Sequence, residues 1–150
     1  MPILLLTLTI IIVDQWTKYY IEDTMTLGMS IPIVPNIFHI TYILNPGAAF
    51  GILEHQTELL IFSALIMIAA LIYFYNRIPR TLKLLHFGLG LLAGGSLGNV
   101  IDRVRTGYVV DFFDFRIWPV FNIADIAIVC GVSAIIWTLL FIDKEVDKND

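Results

Sequence analysis

The sequence predicts an all-α membrane protein: four transmembrane helices carrying a small extracytoplasmic β-sheet cradle, with both termini cytoplasmic. Three observations predict it. The 150 residues are 58% hydrophobic and 15% charged, where a soluble domain carries about 25% charged residues, and mean hydropathy is +0.83. Four segments reach the roughly 20 mostly apolar residues that a spanning helix needs. Two of the connections between them are rich in β-branched and aromatic residues. The chain reads as one domain, residues 1–150.

The first span covers about residues 3–21. It has no basic stretch before it and no small-x-small cleavage site after it, and Asp14 interrupts it, so it reads as a retained span rather than a cleaved signal. The connection that follows contains IPIVPNIFHITYILN, whose composition suits short strands. Pro32 and Pro35 confine its first piece to a sheet edge. It continues into NPGAAFG, where Pro46 and Gly47 mark a turn and small residues permit close approach of another chain. The second and third spans, about residues 57–75 and 82–101, flank a short loop with Arg77, Arg80 and Lys83. A second strand-like piece, YVVDFFDF, precedes the fourth span at about residues 121–142. With the first connection on the same side, the two pieces are expected to pair. The alternating charges from Asp143 to Asp150 read as a solvated end.

Lys and Arg in short loops set orientation. The second-to-third loop is basic, whereas the stretch from Tyr19 to His55 has no Lys or Arg. The basic loop is therefore expected in the cytoplasm, and with it both termini. Arg103, Arg105 and Arg116 oppose this count unless they pair with nearby aspartates in a structured site.

A net charge of −4 leaves no basic footprint for nucleic acid. A single cysteine, Cys130, excludes an intrachain disulfide and reads as a small packing residue. His39, His55 and His86 lie too far apart for a metal motif and read as loop or interface residues. The glycines of GLGLLAGGSLGN read as helix packing.

Ionisable groups within spans are costly and demand partners. Asp14 and Lys18 share one helix face, as a structural ion pair or as a substrate contact. Asn99, Asp102 and Arg103 line one face at the end of the third span. Asn99 also fits a plain helix–helix hydrogen bond, and Arg103 is expected to pair with a carboxylate or a substrate group. Asn122 and Asp125 share a face at the start of the fourth span, and Asp111 lies between in VVDFF. Arg105 and Asp114 read as solvated, and Arg116 beside Trp118 as an interfacial anchor. Such a cluster is an active site, an ion path or a polar lock. Two facing carboxylates can share one proton, one acting as base and the other as acid. Spacing alone leaves open which two of Asp102, Asp111, Asp114 and Asp125 pair.

DQWTK, NPGAAFG, GNVIDR, VVDFF and FNIAD occur in this order within four apolar segments. Together they resemble the lipoprotein signal peptidases (signal peptidase II) of bacteria. The resemblance implies an intramembrane aspartic endopeptidase that removes signal peptides from prolipoproteins just before a diacylglyceryl-modified cysteine. It makes Asp111 and Asp125 catalytic. Asn45, Asn99, Asp102, Arg103 and Asn122 would line or support the site, with Asp14 and Lys18 maintaining its architecture. It implies no metal and no cofactor, a lipid-modified prolipoprotein and membrane lipid as partners, a monomer, and residence in the bacterial cytoplasmic (inner) membrane with the site facing outward. The alternative left by the residues is a small ion or proton transporter that uses the polar cluster as its path.

Overall fold

Small residues let one helix run through the middle of the bundle. The computed structural model describes residues 2–47, 53, 56–75 and 77–146. In chain order it has α1 (Pro2–Thr24), β1 (Ser30–Val34), β2 (Phe38–Asn45), α2 (Thr57–Tyr75), α3 (Lys83–Thr106), β3 (Val109–Asp114) and α4 (Ile123–Val146). The central helix is α3, which packs on α4, α1 and α2. At its crossing with α4, a Cβ on Gly131 would lie 2.7 Å from both the Gly88 carbonyl oxygen and the Leu92 nitrogen. Only hydrogen at that position allows the two backbones to touch. On the α1 side, Thr7 Oγ1 donates to the Gly90 carbonyl at 3.1 Å.

Among the described residues, α2, α3 and α4 are long and apolar enough to cross a membrane. The 23-residue α1 has the length, but Asp14, Gln15, Lys18, Glu22 and Asp23 dilute its hydropathy. No residue of α2 is buried, and large apolar side chains such as Leu5, Ile72, Val129 and Leu140 are more than 60% exposed. Apolar surface facing outward on every side is the arrangement that lipid, not water, solvates.

Helix α3 runs five residues beyond the apolar segment that announced it, because helix continues through the polar turn Asp102–Thr106. It stops at Gly107, whose φ of 83° provides the left-handed cap, its N–H donating to the Arg103 carbonyl. Glycine adopts that conformation without steric cost.

The two strand-like connections do pair, in the antiparallel order β1-β2-β3. A turn joins β1 to β2: Ile37 N–H donates to the Val34 carbonyl, with Pro35 at its second position and Asn36 at its third with φ 63°. Proline then a left-handed residue is the type II turn pattern. The bulge between Pro32 and Val34 and the edge position of β1 agree with the prolines there. Strand β3 is buried almost throughout, although it is also an edge in the sheet order. Phe121 covers its outer side, exchanging backbone hydrogen bonds with Phe113. Ile21 of α1 and Met25 just past its C-terminal end pack with Val110 and Phe112 under the sheet, which seats the sheet on the end of the bundle.

Ala48, Ala49, Phe50 and Gly51 of NPGAAFG, His55, and residues 147–150 of the charged tail lie outside the described residues. Cys130 differs from expectation: it is exposed, because it lies on a face of α4 that lines a cavity.

The Gly88–Gly131 crossing leaves no room for a methyl group. Gly131→Ala is expected to destabilise the bundle by about 1–3 kcal/mol through overpacking, read as a lower thermal midpoint in detergent. An unchanged midpoint would refute the close crossing.

Candidate active site

The polar residues of three helices and two strands meet beneath the sheet. Lys18 is at their centre, 2% exposed. Its ammonium lies 2.8 Å from Asp14 Oδ2 and 2.8 Å from Asp102 Oδ2, and donates to Asn99 Oδ1 at 2.9 Å. Those three contacts use all three of its donors. Each acid then holds a second element. Asp14 Oδ1 accepts the Ala124 N–H at the first turn of α4 (2.9 Å). Asp102 Oδ2 accepts the Val110 N–H of β3 (3.3 Å). Gln15 closes the group, donating to Asp102 Oδ1 at 2.7 Å and to the Gly98 carbonyl at 3.2 Å.

Two further carboxylates lie in front of this group and line a cavity of about 780 Å³. Asp125 belongs to the N-terminal turn of α4, where it forms a reciprocal cap with Asn122. Asn122 Oδ1 accepts the Asp125 N–H (2.9 Å) and Asp125 Oδ2 accepts the Asn122 N–H (3.2 Å), the capping-box arrangement with Asn and Asp in its two positions. Asp125 Oδ1 also accepts from Asn99 Nδ2 at 2.8 Å. Asp111, in β3, is 1% exposed. Its two oxygens accept from Asn122 Nδ2 (2.7 Å) and Asn45 Nδ2 (2.9 Å). Burial, and then the negative charge of Asp125, push the Asp111 carboxyl up to about 7, against the pull of those two amides.

Asn45, Asn99 and Arg103 line the cavity with the two acids, together with apolar Leu60, Val109, Phe121 and Ile128. Asp14, Lys18, Asp102 and Asn122 do not line it. Asp14 and Lys18 are buried behind the cavity wall, an arrangement that suits the structural ion pair. Asn99 does both jobs at once, joining α1 to α4 and reaching the cavity.

Arg103 makes no direct carboxylate pair among the described residues, which leaves the substrate half of its expected pairing open. Its guanidinium donates to the Gly47 carbonyl at 2.6 Å and to the Asn99 carbonyl at 3.4 Å. Its charge acts on Asp125, Asp111 and Asp102 without direct hydrogen bonds to them. It thereby ties the turn after β2, where Gly47 N–H also donates to Asn45 Oδ1 at 2.9 Å, to the cavity rim. Asp114 differs from expectation. It is buried, because Thr41 donates to it from β2 (2.8 Å) and Arg116 pairs with it at 2.8 Å. Burial alone would push its carboxyl up, but the hydrogen bonds from Thr41 and Arg116 outweigh burial and hold it below the usual range. Pairing removes Arg116 from the loop-charge conflict, while Arg105 is exposed.

Gln15 and Thr41 were not singled out from the sequence. Gln15 stands inside DQWTK three positions before Lys18, an i, i+3 spacing on the same face that an i, i+4 count from Asp14 passes over. Thr41 gave no signal, since its partner is 73 positions away. Among the described residues, no group of three or more His, Cys, Asp or Glu is arranged to hold a metal ion.

Lys18 neutralises two acids in a dry place. Lys18→Met should destabilise the protein by about 3–5 kcal/mol, because buried carboxylates lose their partner. A thermal melt matching wild type would show that Asp14 and Asp102 are not held in this way.

Comparison with known proteins adds to this geometry. A family model described as signal peptidase (SPase) II matches residues 6–141. The lipoprotein signal peptidase of Pelotomaculum thermopropionicum is 52% identical over 131 residues, covering 87% of this chain and 86% of that protein. That of Moorella thermoacetica is 46% identical over 140 residues, covering 93% of each. A solved bacterial membrane enzyme superposes with a TM-score of 0.88 at 40% identity, over 93% of this chain and 87% of that one. With a cavity that presents two aspartates at the end of an apolar helix bundle, and a family match over most of its length, the chain belongs to the signal peptidase II family of peptidases.

Proposed function

We propose that this protein is an intramembrane aspartic endopeptidase that removes signal peptides from diacylglyceryl-modified prolipoproteins, cutting just before the lipidated cysteine. The observation that carries the reading is the pair Asp111 and Asp125: both line one cavity, and the charge of Asp125 helps hold a proton on Asp111. The names of the relatives, lipoprotein signal peptidases, supply the substrate class.

The pair divides the work of hydrolysis. Asp111 starts protonated and Asp125 starts as a carboxylate. Asp125 takes a proton from water as the water oxygen attacks the scissile carbonyl carbon, and Asp111 gives its proton to the carbonyl oxygen. The tetrahedral diol then collapses. Asp111 recovers its proton from a diol hydroxyl, Asp125 passes its proton to the departing amine nitrogen, and the carbon–nitrogen bond breaks. One water is consumed and the pair returns to its starting state. Arg103 places positive charge beside the acids, and Asn45 and Asn99 orient them. The sheet suits an extended peptide, because a helical one hides its carbonyls; addition of a strand is a common way to bind such a segment. The apolar cavity wall suits the lipid on the cysteine.

Four spans, including α1, with cytoplasmic termini and an outward-facing site are part of the same proposal. They rest on the lysine and arginine distribution and on the burial of the polar face of α1 against α3. The protein is taken to act as a monomer in the bacterial cytoplasmic membrane, with no metal or organic cofactor. Among the described residues, nothing specific favours the transport alternative.

The test is cleavage of a diacylglyceryl-modified prolipoprotein by purified protein in detergent. Asp111→Asn and Asp125→Asn should each fall by at least about a hundredfold while melting cooperatively. Near-normal turnover by either folded variant would overturn the assignment.

The proton on Asp111 sets a pH limit. The carboxyl is raised from its ordinary 3.8 to about 7, so the pair loses its shared proton as pH rises through that value. The kcat/KM profile is expected to fall on its alkaline side with an apparent pKa near 7, a property of the coupled pair. Folding also takes up a proton between the ordinary and the raised value. Wild type should therefore lose stability as pH rises across that window, and Asp111→Asn should lose less. A flat stability difference between the two across the window would contradict a protonated Asp111.

A further inference from the structure

A second cavity, of about 690 Å³, lies at the opposite end of the bundle from the sheet, where the connection between α2 and α3 meets the start of α1. Its lining divides by chemistry. Arg80, Lys83 and His86 supply the polar part, and Ile3, Leu6 and Phe87 supply an apolar wall. His86 is fixed in place: its Nδ1 donates to the Leu82 carbonyl at 2.9 Å, and its ring meets Tyr75 edge-on at 5.5 Å.

No acid adjoins these cations in sequence. The sequence has no Asp or Glu from Leu59 to Ile101, and α3 has no acid in its first turn. Among the described residues, neither Arg80 nor Lys83 is in an ion pair. Nearby Arg77 behaves differently. Its guanidinium donates to Tyr73 Oη at 2.8 Å and stacks on that ring at 4.4 Å. Two cations therefore flank a cavity that continues onto apolar side chains, at the end of helices apolar enough to cross a membrane.

We infer that this cavity binds an anionic phospholipid, with the phosphodiester between Arg80 and Lys83 and an acyl chain along Ile3, Leu6 and Phe87. Basic pockets between helix ends are suited to anionic headgroups. A free phosphate would leave the apolar wall wet, whereas an acyl chain removes it from water. A zwitterionic headgroup would bring its own cation against two others. The inference rests on the reading that the helices cross a bilayer, and is independent of what the aspartate pair does.

The test is lipid retention by the full-length protein, read by native mass spectrometry after purification and addition of dioleoyl phosphatidylglycerol or dioleoyl phosphatidylcholine. Wild type should retain phosphatidylglycerol in preference to phosphatidylcholine. Each cation is worth roughly fivefold in affinity, so Arg80→Gln with Lys83→Gln should weaken retention about 25-fold. Arg80→Lys with Lys83→Arg should restore it, and Arg77→Gln should leave it unchanged. Equal retention of both lipids, or retention undiminished in the double glutamine variant, would overturn the site. So would full displacement of the lipid by millimolar inorganic phosphate, since that would mark a phosphate site without a lipid component. Two parallel measurements keep the readings apart. Release of the protein from membranes by an alkaline wash would sink the bilayer reading. Failure of wild type to cleave prolipoprotein would sink the peptidase reading and leave lipid retention standing.

Discussion

One buried ammonium fixes the relative positions of nearly everything that matters at this site. Lys18 touches Asp14 on its own helix and Asp102 and Asn99 on α3, and each of these partners reaches a further element. Asp14 holds the first turn of α4, Asp102 holds β3, and Asn99 holds Asp125. Burying such charges has a large desolvation penalty, and a well-packed apolar replacement is often no less stable. What the network supplies is position. The penalty is tolerable only because each carboxylate oxygen and each ammonium proton finds a partner. Gly98 belongs to the same constraint: a Cβ there would lie 2.5 Å from Asp14 Oδ2, so α1 and α3 could not approach closely enough for Lys18 to reach across.

The network also dictates how the asparagines point. An ammonium has no acceptor, so the Asn99 atom facing Lys18 must be oxygen, and its amide nitrogen must then face Asp125. Asn122 is set the same way. Its oxygen accepts the Asp125 backbone N–H, which turns its nitrogen toward Asp111. Amides do not titrate in the working pH range. They can hold two carboxylates in place without competing for the proton that the proposed mechanism has those carboxylates share, which a lysine or histidine in the same positions would do.

Composition and apolar run length were enough to read the helices, and β-branched content with prolines was enough to read the strands and the edge position of β1. These signals are local. Site residues were legible where helical spacing put them together, as with Asn99, Asp102 and Arg103, or where a family motif named them, as with Asn45. What could not be read was which partner each would find. Asp114 looked like a solvated loop acid because nothing nearby in sequence reveals that Thr41 will lie opposite. Arg103 looked like a carboxylate partner because its carbonyl acceptor on Gly47 comes from a turn 56 positions away. Cys130 looked like packing because apolar periodicity cannot separate a face that meets protein from one that meets lipid or a cavity. Helix α1 shows the converse limit. Asp14 and Lys18 lower its hydropathy, yet they are residues that bind it to the bundle.

The two acids of the proposed pair are chemically identical, so the division of labour proposed for them has to come from where they sit. Asp125 is in the first turn of a long helix, among N–H groups that have no intrahelical acceptor and whose field suits an anion, and one of its oxygens accepts the Asn122 backbone N–H directly. Asp111 is on a strand that is covered on both sides and has no comparable field. Burial dominates there, and the nearby charge of Asp125 adds to it. Both causes favour a proton on the strand-side carboxyl, as the proposed division requires. The same asymmetry explains why a sheet is needed on a helical membrane protein at all. A pair built from two helix N-termini would favour two anions. A strand delivered by the α3–α4 connection, and held by Asp102 from beneath, supplies a dry neighbour that raises one acid's hold on a proton while the cavity beside it remains open.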